Sequence, residues 1–136
     1  MVSITIIIII ATAIISLIAF NNQQVMDNLI FYPPAVSEKN QYYRFITCGF
    51  IHANLPHLFF NMYALYVFGE GQSKQGVEYF FVSIFGEKGK ILYLLMYLLA
   101  LIVCLIPSFQ KNRNNPDYGA ILILENRSGF RKVGIK

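Results

Sequence analysis

The sequence predicts an all-α membrane protein: a polytopic helix bundle with three transmembrane helices and short interfacial segments between them. Hydrophobic residues make up 56% of the 136 residues and charged residues only 13%. Soluble globular domains carry about 25% charged residues, so this chain has too few to cover a water-facing surface. Two long apolar runs, at residues 2–20 and 91–106, are candidates for membrane spans.

The first predicted span covers about residues 2–20. At about 1.5 Å per residue this run reaches roughly 28 Å, close to the ~30 Å of a hydrocarbon core. A cleavable signal peptide would begin with basic residues, whereas the first basic residue here is Lys39. The pattern therefore favours a transmembrane helix.

A polar, proline-bearing segment follows at residues 21–43. Its composition predicts a loop outside the bilayer, with short amphipathic structure around Val25 to Phe31. Tyr42, Tyr43 and Arg44 then lead back toward the membrane. Aromatic residues beside an arginine are typical of an anchor at the membrane interface.

The second predicted span, about residues 54–69, contains polar groups in apolar surroundings. Asn54 followed by Pro56 predicts a helix start, with an N-cap and a proline in the first turn. Because each helical residue turns by about 100°, His57 and Asn61 lie one turn apart on one face. Two interpretations stay open: a functional site facing a water-filled cavity, or hydrogen bonding between helices.

The remaining segments complete the predicted topology. Residues 77–85 are apolar but too short to span, and we expect them in the interface. The run that ends at Pro107 predicts a third span over about residues 90–107, followed by an Asn-rich loop. Six of the eleven lysines and arginines lie in the last 26 residues.

Several functions are disfavoured. A basic end beside membrane spans indicates contact with lipid headgroups rather than with nucleic acid. Cys48 and Cys104 provide no disulfide framework. A metal site using His52 and His57 is a weak alternative, because their five-residue spacing lacks nearby acidic ligands. For His52, structural packing is slightly favoured over a direct role. We expect no cofactor and no metal.

The motifs of this chain resemble those of the rhomboid intramembrane serine proteases. The matching residues are Tyr43-Arg44 with Thr47, Gly49-Phe50-Ile51-His52-Ala53, His57-Leu58-x-x-Asn61-Met62, Phe68-Gly69, Glu78, Phe85-Gly86-x-Lys-Gly-Lys90 and Asn115-Pro116-Asp-Tyr-Gly-Ala-Ile121. Tyr43 stands where the family usually has Trp. The resemblance covers about residues 1–121, which we expect to form a partial rhomboid domain.

The resemblance implies a serine-type endopeptidase, a hydrolase that cleaves transmembrane protein substrates within the bilayer. It also implies a multi-pass integral protein of the bacterial cytoplasmic (inner) membrane. His57 and Asn61 match the family's oxyanion-hole positions, where preorganised donors stabilise the developing charge. The family's nucleophilic serine and general-base histidine lie on later helices. The resemblance implies no particular oligomeric state.

The pattern breaks after residue 121. The family's Gly-x-Ser-Gly is expected there, but the chain reads Leu122-Ile-Leu-Glu125, and Ser128-Gly129 lacks the first glycine. Losing the nucleophile of a serine hydrolase costs on the order of 10⁶ in turnover, so we expect this chain to be inactive. Three spans would also leave the basic residues 122–136 outside, against the positive-inside rule. We therefore expect a chain truncated or frameshifted after about residue 121.

An alternative is a non-catalytic rhomboid-like membrane protein that binds transmembrane segments. A complete six-helix core would favour it, whereas three spans are predicted here. With the later helices missing, His57 and Asn61 would face lipid or each other, and each lost interhelical hydrogen bond costs roughly 0.6 to 2 kcal/mol. We therefore expect a loosely packed three-helix assembly.

Overall fold

The computed structural model describes residues 2–116 and 118, apart from the side chain of Lys74. The described part is built from seven α-helices joined by short turns. The helices are α1 (Ile4–Asn21), α2 (Gln23–Leu29), α3 (Pro33–Lys39), α4 (Arg44–Thr47), α5 (Leu55–Leu65), α6 (Val77–Phe85) and α7 (Lys88–Asn112). A 3₁₀ turn, Cys48–Phe50, follows α4, and a π-helical turn, Tyr66–Glu70, continues α5. The basic residues 122–136 lie outside the described residues.

Helix α1 confirms the first predicted helix to within two residues at its start and one at its end. Ser3 is its N-cap, with the side-chain oxygen accepting a hydrogen bond from Ile6 N at 3.4 Å. The helix ends where Asn22 takes an extended conformation and caps α2 by accepting from Val25 N. Asn22 therefore ends the first helix and caps the start of the next.

Within the residues that the structure describes, two helices, α1 and α7, are long and apolar enough to cross a membrane. Only 28% and 17% of their apolar windows are buried inside the protein. The core helix of a soluble protein would be mostly buried, so these exposed apolar faces fit contact with lipid. The third predicted span, α5 with its π-helical turn, is shorter than either, and the three-span topology stays a prediction.

The prediction that Pro107 ends the last helix was wrong, because α7 continues to Asn112. A proline removes one backbone donor and crowds the carbonyl four residues earlier. Here a tertiary contact and a hydrogen bond within the helix support the turns beyond it. The ring of Phe109 lies 5.5 Å from that of Phe45 in an edge-on contact, and Asn112 Nδ2 donates to Ser108 O at 3.1 Å.

Residues 21–43 are more ordered than the loop that the sequence predicts. Most of them belong to α2 and α3, and the corner between these helices is buried. Phe31 and Val36 are completely buried and pack with Cys48 and Leu105. Met26 and Ile30 of the same segment pack with Ala19 and Ile51. The apolar residues of this polar segment therefore contribute to both hydrophobic clusters of the described chain.

Arg44 is not an interfacial anchor, so that prediction was wrong for this residue. Its side chain is 2% exposed. The guanidinium donates to Ile30 O at 2.7 Å, to Asp27 O at 2.8 Å and to Gln41 Oε1 at 2.7 Å. Arg44 therefore ties the end of α2 to the start of α4. Tyr42 and Tyr43, by contrast, are exposed.

Candidate functional site

The start of α5 is built as the sequence predicts. Asn54 has an extended backbone, and its side-chain oxygen accepts a hydrogen bond from His57 N at 2.9 Å. Pro56 lies in the first turn, where a missing backbone donor has no cost. This cap fixes the first turn of the helix and so places the backbone of His57.

Both ring nitrogens of His57 are buried, and neither has a hydrogen-bond partner. Such orphaned nitrogens are uncommon, because a buried polar group without a partner costs about 1–3 kcal/mol. Asn61, one turn later on the same helix, is half-buried. The described part of the chain thus carries an imidazole and a carboxamide one turn apart. The two nitrogens of the imidazole are free to form hydrogen bonds with a further group.

A cavity of ≈ 310 Å³ lies between α5, α7 and the 3₁₀ turn before α5. Its walls are mostly apolar, with the polar atoms of Asn61, His52 and Tyr97 among them. The lining includes Gly49, His52, Asn61, Ala64, Tyr97 and Leu101. Helix α7, the last predicted span, therefore faces the same space as Asn61, and α1 also packs against α5.

His52 precedes α5 and is bound to α1. It is 4% exposed, and its Nδ1 lies 3.0 Å from Ser16 Oγ. Ser16 Oγ also lies 3.0 Å from Phe50 O, which can only accept. The arrangement that satisfies all three groups has Ser16 donating to Phe50 O and His52 Nδ1–H donating to Ser16. The ring centre of His52 lies 5.3 Å from that of His57, edge to face.

The burial of His52 also sets its charge. Burial, with a smaller contribution from the charge of His57, lowers the pKa of His52 to about 4. The side chain is therefore neutral at pH 7, with the proton on Nδ1. These contacts fit the packing role that the sequence slightly favours.

Ser16 could be mistaken for a nucleophile, since a hydroxyl bonded to an imidazole is the usual sign of one. Its exposed fraction is 0%, so no substrate atom reaches it. Its proton is also directed to Phe50 O rather than to the imidazole. The Ser16–His52 pair is therefore a structural link between α1 and the turn before α5.

Sequence reasoning missed the hydroxyl stripe on α1. Thr5, Thr12 and Ser16 share one face and are each completely buried. Thr12 Oγ1, one turn before Ser16, has no hydrogen-bond partner. The spacing of seven and four residues inside an isoleucine-rich run is the signal that identifies this face.

Glu78 of α6 binds the first turn of α1, at the end away from Ser16. Its carboxylate accepts four hydrogen bonds, from Ile4 N and Ser3 Oγ at 2.7 Å, and from Thr5 N and Thr5 Oγ1 at 2.8 and 2.7 Å. Burial alone would raise the pKa of this carboxyl, but the hydrogen bonds outweigh burial and hold the pKa below its ordinary value. The charge also suits the positive end of the α1 dipole. Glu78 is a fully satisfied structural anchor.

The described residues contain no group of three or more His, Cys, Asp or Glu side chains able to hold a metal ion. His52 and His57 are neighbours, but no acidic or thiol ligand completes a set with them. Nothing in the described site therefore favours a metal centre.

Comparison with known families decides the lineage. The family model for the Rhomboid domain matches residues 39–120, which is more than half of the chain. The chain belongs to the rhomboid family. The match runs from the end of α3 past the end of α7, and both His57 and Asn61 of this rhomboid chain lie within it. No curated protein and no solved structure matches the chain.

Proposed function

We propose that this chain carries the oxyanion-binding part of a rhomboid-type intramembrane serine endopeptidase, whose substrates are transmembrane proteins. The single observation that carries the proposal is the orphaned imidazole of His57, one turn from the Asn61 carboxamide that lines the cavity. Buried polar groups nearly always have a hydrogen-bond partner, so the N–H of the His57 imidazole is a donor left free for a further acceptor. A developing oxyanion is such a group, because it accepts strong hydrogen bonds in a site shielded from bulk water.

The nucleophile is not supplied by residues 1–136. They contain no Gly-x-Ser-Gly motif, and Ser16 is buried and committed to Phe50 O. We propose that the chain as given does not cleave peptide bonds. A fluorophosphonate probe, which labels activated serines, should leave the purified chain unlabelled, and a model transmembrane substrate in proteoliposomes should remain intact. Cleavage would overturn the inactivity.

The oxyanion role can be tested by transplanting α5. Residues 54–65 would replace the matching helix of an active rhomboid protease, and the graft should cleave the model substrate. His57→Ala in the graft should then lower kcat on the order of 10²–10³-fold, since one lost oxyanion donor costs that much. Tyr63→Phe, on the exposed face of the same helix, is the matched control and should leave kcat unchanged. An unchanged kcat in the His57 variant would refute the role.

The second candidate is a non-catalytic membrane protein that binds transmembrane segments. The observation that favours it is the mostly apolar cavity between α5 and α7, which has small residues, Gly49 and Ala64, in its wall. Small residues allow helix backbones to approach closely in a membrane. Energy transfer between the labelled chain and a labelled transmembrane peptide in nanodiscs would detect binding. Ala64→Phe should abolish the transfer, whereas Ala100→Phe on the exposed side of α7 should not.

A further inference from the structure

A second cavity, of ≈ 140 Å³, lies at the end of the bundle where α1 and α7 begin. Ser3, Glu70, Glu78, Tyr79, Val82 and Lys90 line it, together with Val2. It is remote from His57: Thr5 marks the cavity end of α1 and Ser16 the His52 end, about 16 Å apart along the helix. The two cavities are therefore separate sites.

Its depth in the bilayer follows from the topology. Helix α1 begins at Ile4 and α7 at Lys88, and these are the two helices able to cross a membrane. The two helices are linked near these starts by Thr5 Oγ1, in the first turn of α1, which bonds Tyr93 Oη, in the second turn of α7, at 3.0 Å. The cavity beside these helix starts consequently lies at the level of the phospholipid headgroups.

One of the two carboxylates that line the cavity has no partner among the described residues. The Glu78 carboxylate is saturated by its four hydrogen bonds to the start of α1. Glu70 is half-buried at the end of the π-helical turn. Its backbone oxygen accepts a hydrogen bond from Gly76 N at 2.9 Å, but among the described residues its carboxylate has no hydrogen bond or ion pair. Glu70 is therefore the carboxylate available to a cationic ligand.

The positive side is Lys90. Its side chain is only 20% exposed, and its Nζ lies 3.9 Å from Glu87 Oε2, on a side chain that is 71% exposed. An ion pair that long, with a solvated partner, contributes little. The Lys90 ammonium can therefore contact an anionic group in the cavity without losing a strong interaction.

We propose that this cavity binds the headgroup of a phosphoethanolamine-type phospholipid. The primary ammonium of the headgroup donates to the Glu70 carboxylate, and its phosphate contacts the Lys90 ammonium. The acyl chains run toward the bilayer centre along exposed apolar side chains such as Val2 and Ile7 of α1. The proposal does not depend on the proposed proteolytic function.

The charge pattern distinguishes this lipid from its competitors. A phosphocholine headgroup carries a methylated ammonium that cannot donate a hydrogen bond to Glu70. A phosphoglycerol headgroup has no cation at all, so the negative charge of its phosphate stays uncompensated next to Glu70 and Glu78. Both should therefore bind more weakly than phosphoethanolamine.

The test uses the full chain in nanodiscs containing equal parts of the three lipids, followed by native mass spectrometry of the lipid retained on the protein. Phosphatidylethanolamine should be retained roughly tenfold over phosphatidylcholine, since one charge-assisted hydrogen bond separates them. Glu70→Gln should remove that preference, whereas Lys90→Gln should lower the retention of both lipids, because both carry the phosphate that Lys90 contacts. Glu87→Gln and Lys88→Gln, whose native side chains are exposed, are the matched controls and should keep it.

Three results would overturn the proposal. One is equal retention of the three lipids by the unaltered chain, a comparison that needs no variant to fold. Another is a preference that survives Glu70→Gln in protein with an unchanged unfolding transition. The third is displacement of the lipid by soluble phosphoethanolamine at equal concentration, which would identify a site for the free headgroup compound rather than for a lipid.

Discussion

Buried polar groups along α1 differ in whether they have hydrogen-bond partners. At its start, the Glu78 carboxylate receives four hydrogen bonds, and Thr5 also bonds Tyr93. In the middle of α1, Thr12 Oγ1 is buried and unbonded, as are both nitrogens of His57 on the helix packed against it. The start of α1 is completely bonded in the described chain, whereas its middle adjoins buried polar groups without a partner.

This difference distinguishes buried polar groups that stabilise the fold from buried polar groups that serve a function. A buried polar group that is fully bonded stabilises the fold, and its loss should appear as lost stability. A buried polar group that is unbonded costs free energy in the isolated chain, so replacing it should cost little stability. Its retention then needs a reason outside the described fold, which for His57 is the proposed oxyanion.

The largest expected effect is the loss of the Glu78 anchor. Glu78→Ala leaves two backbone amides at the start of α1 without an acceptor, and it should destabilise the fold by about 3 kcal/mol or more. Unfolding by sodium dodecyl sulfate in mixed micelles, followed by circular dichroism, would measure it. Glu87→Ala is the control, since the Glu87 side chain is exposed. Equal stability of the two variants would show that the bonded carboxylate of Glu78 does not stabilise the fold.

The next effect comes from Gly69, where the same anchor region is tightly packed. A Cβ at Gly69 would lie 2.7 Å from both Thr5 Oγ1 and Tyr93 Oη. Gly69→Ala should therefore separate these two hydroxyls and destabilise the fold by about 1–3 kcal/mol. The same micelle titration measures it, and Ala100→Ser on the exposed side of α7 should show no comparable change.

A smaller contrast is expected at the other end of α1. Ser16→Ala removes a bonded hydroxyl and should cost about 0.6–1.7 kcal/mol. His57→Phe removes only unbonded nitrogens, so it should be neutral or stabilising by about 1 kcal/mol. Thermal unfolding in detergent compares the two. A His57 variant less stable than the Ser16 variant would show that the imidazole is already bonded within the fold.

The last contrast concerns the pH dependence of stability. Because the pKa of His52 falls to about 4 in the folded chain, the unfolded chain binds the proton first as pH falls below about 6.5. Stability should be constant above that pH and decrease between about 6.5 and 4. His52→Phe should flatten this part of the profile. An unaltered slope would mean that another group titrates there.

Much of this arrangement could be predicted from the sequence. The apolar run before Asn21 and the Asn54 cap with Pro56 each predict a helix that the structure confirms. These signals are local, since they depend on residues within one or two turns. The shared face of His57 and Asn61 follows from helix periodicity in the same way.

The long-range contacts could not be predicted. The sequence gives no indication that Glu78 bonds residues 73 to 75 positions away, that Arg44 turns inward, or that α7 passes Pro107. Those outcomes depend on which groups the packed helices bring together, and hydrogen bonding and burial are then decided between elements. The sequence determined the helices and the lineage. Tertiary structure alone decided which buried polar groups are satisfied, because a partner distant in sequence is chosen only when the chain has folded.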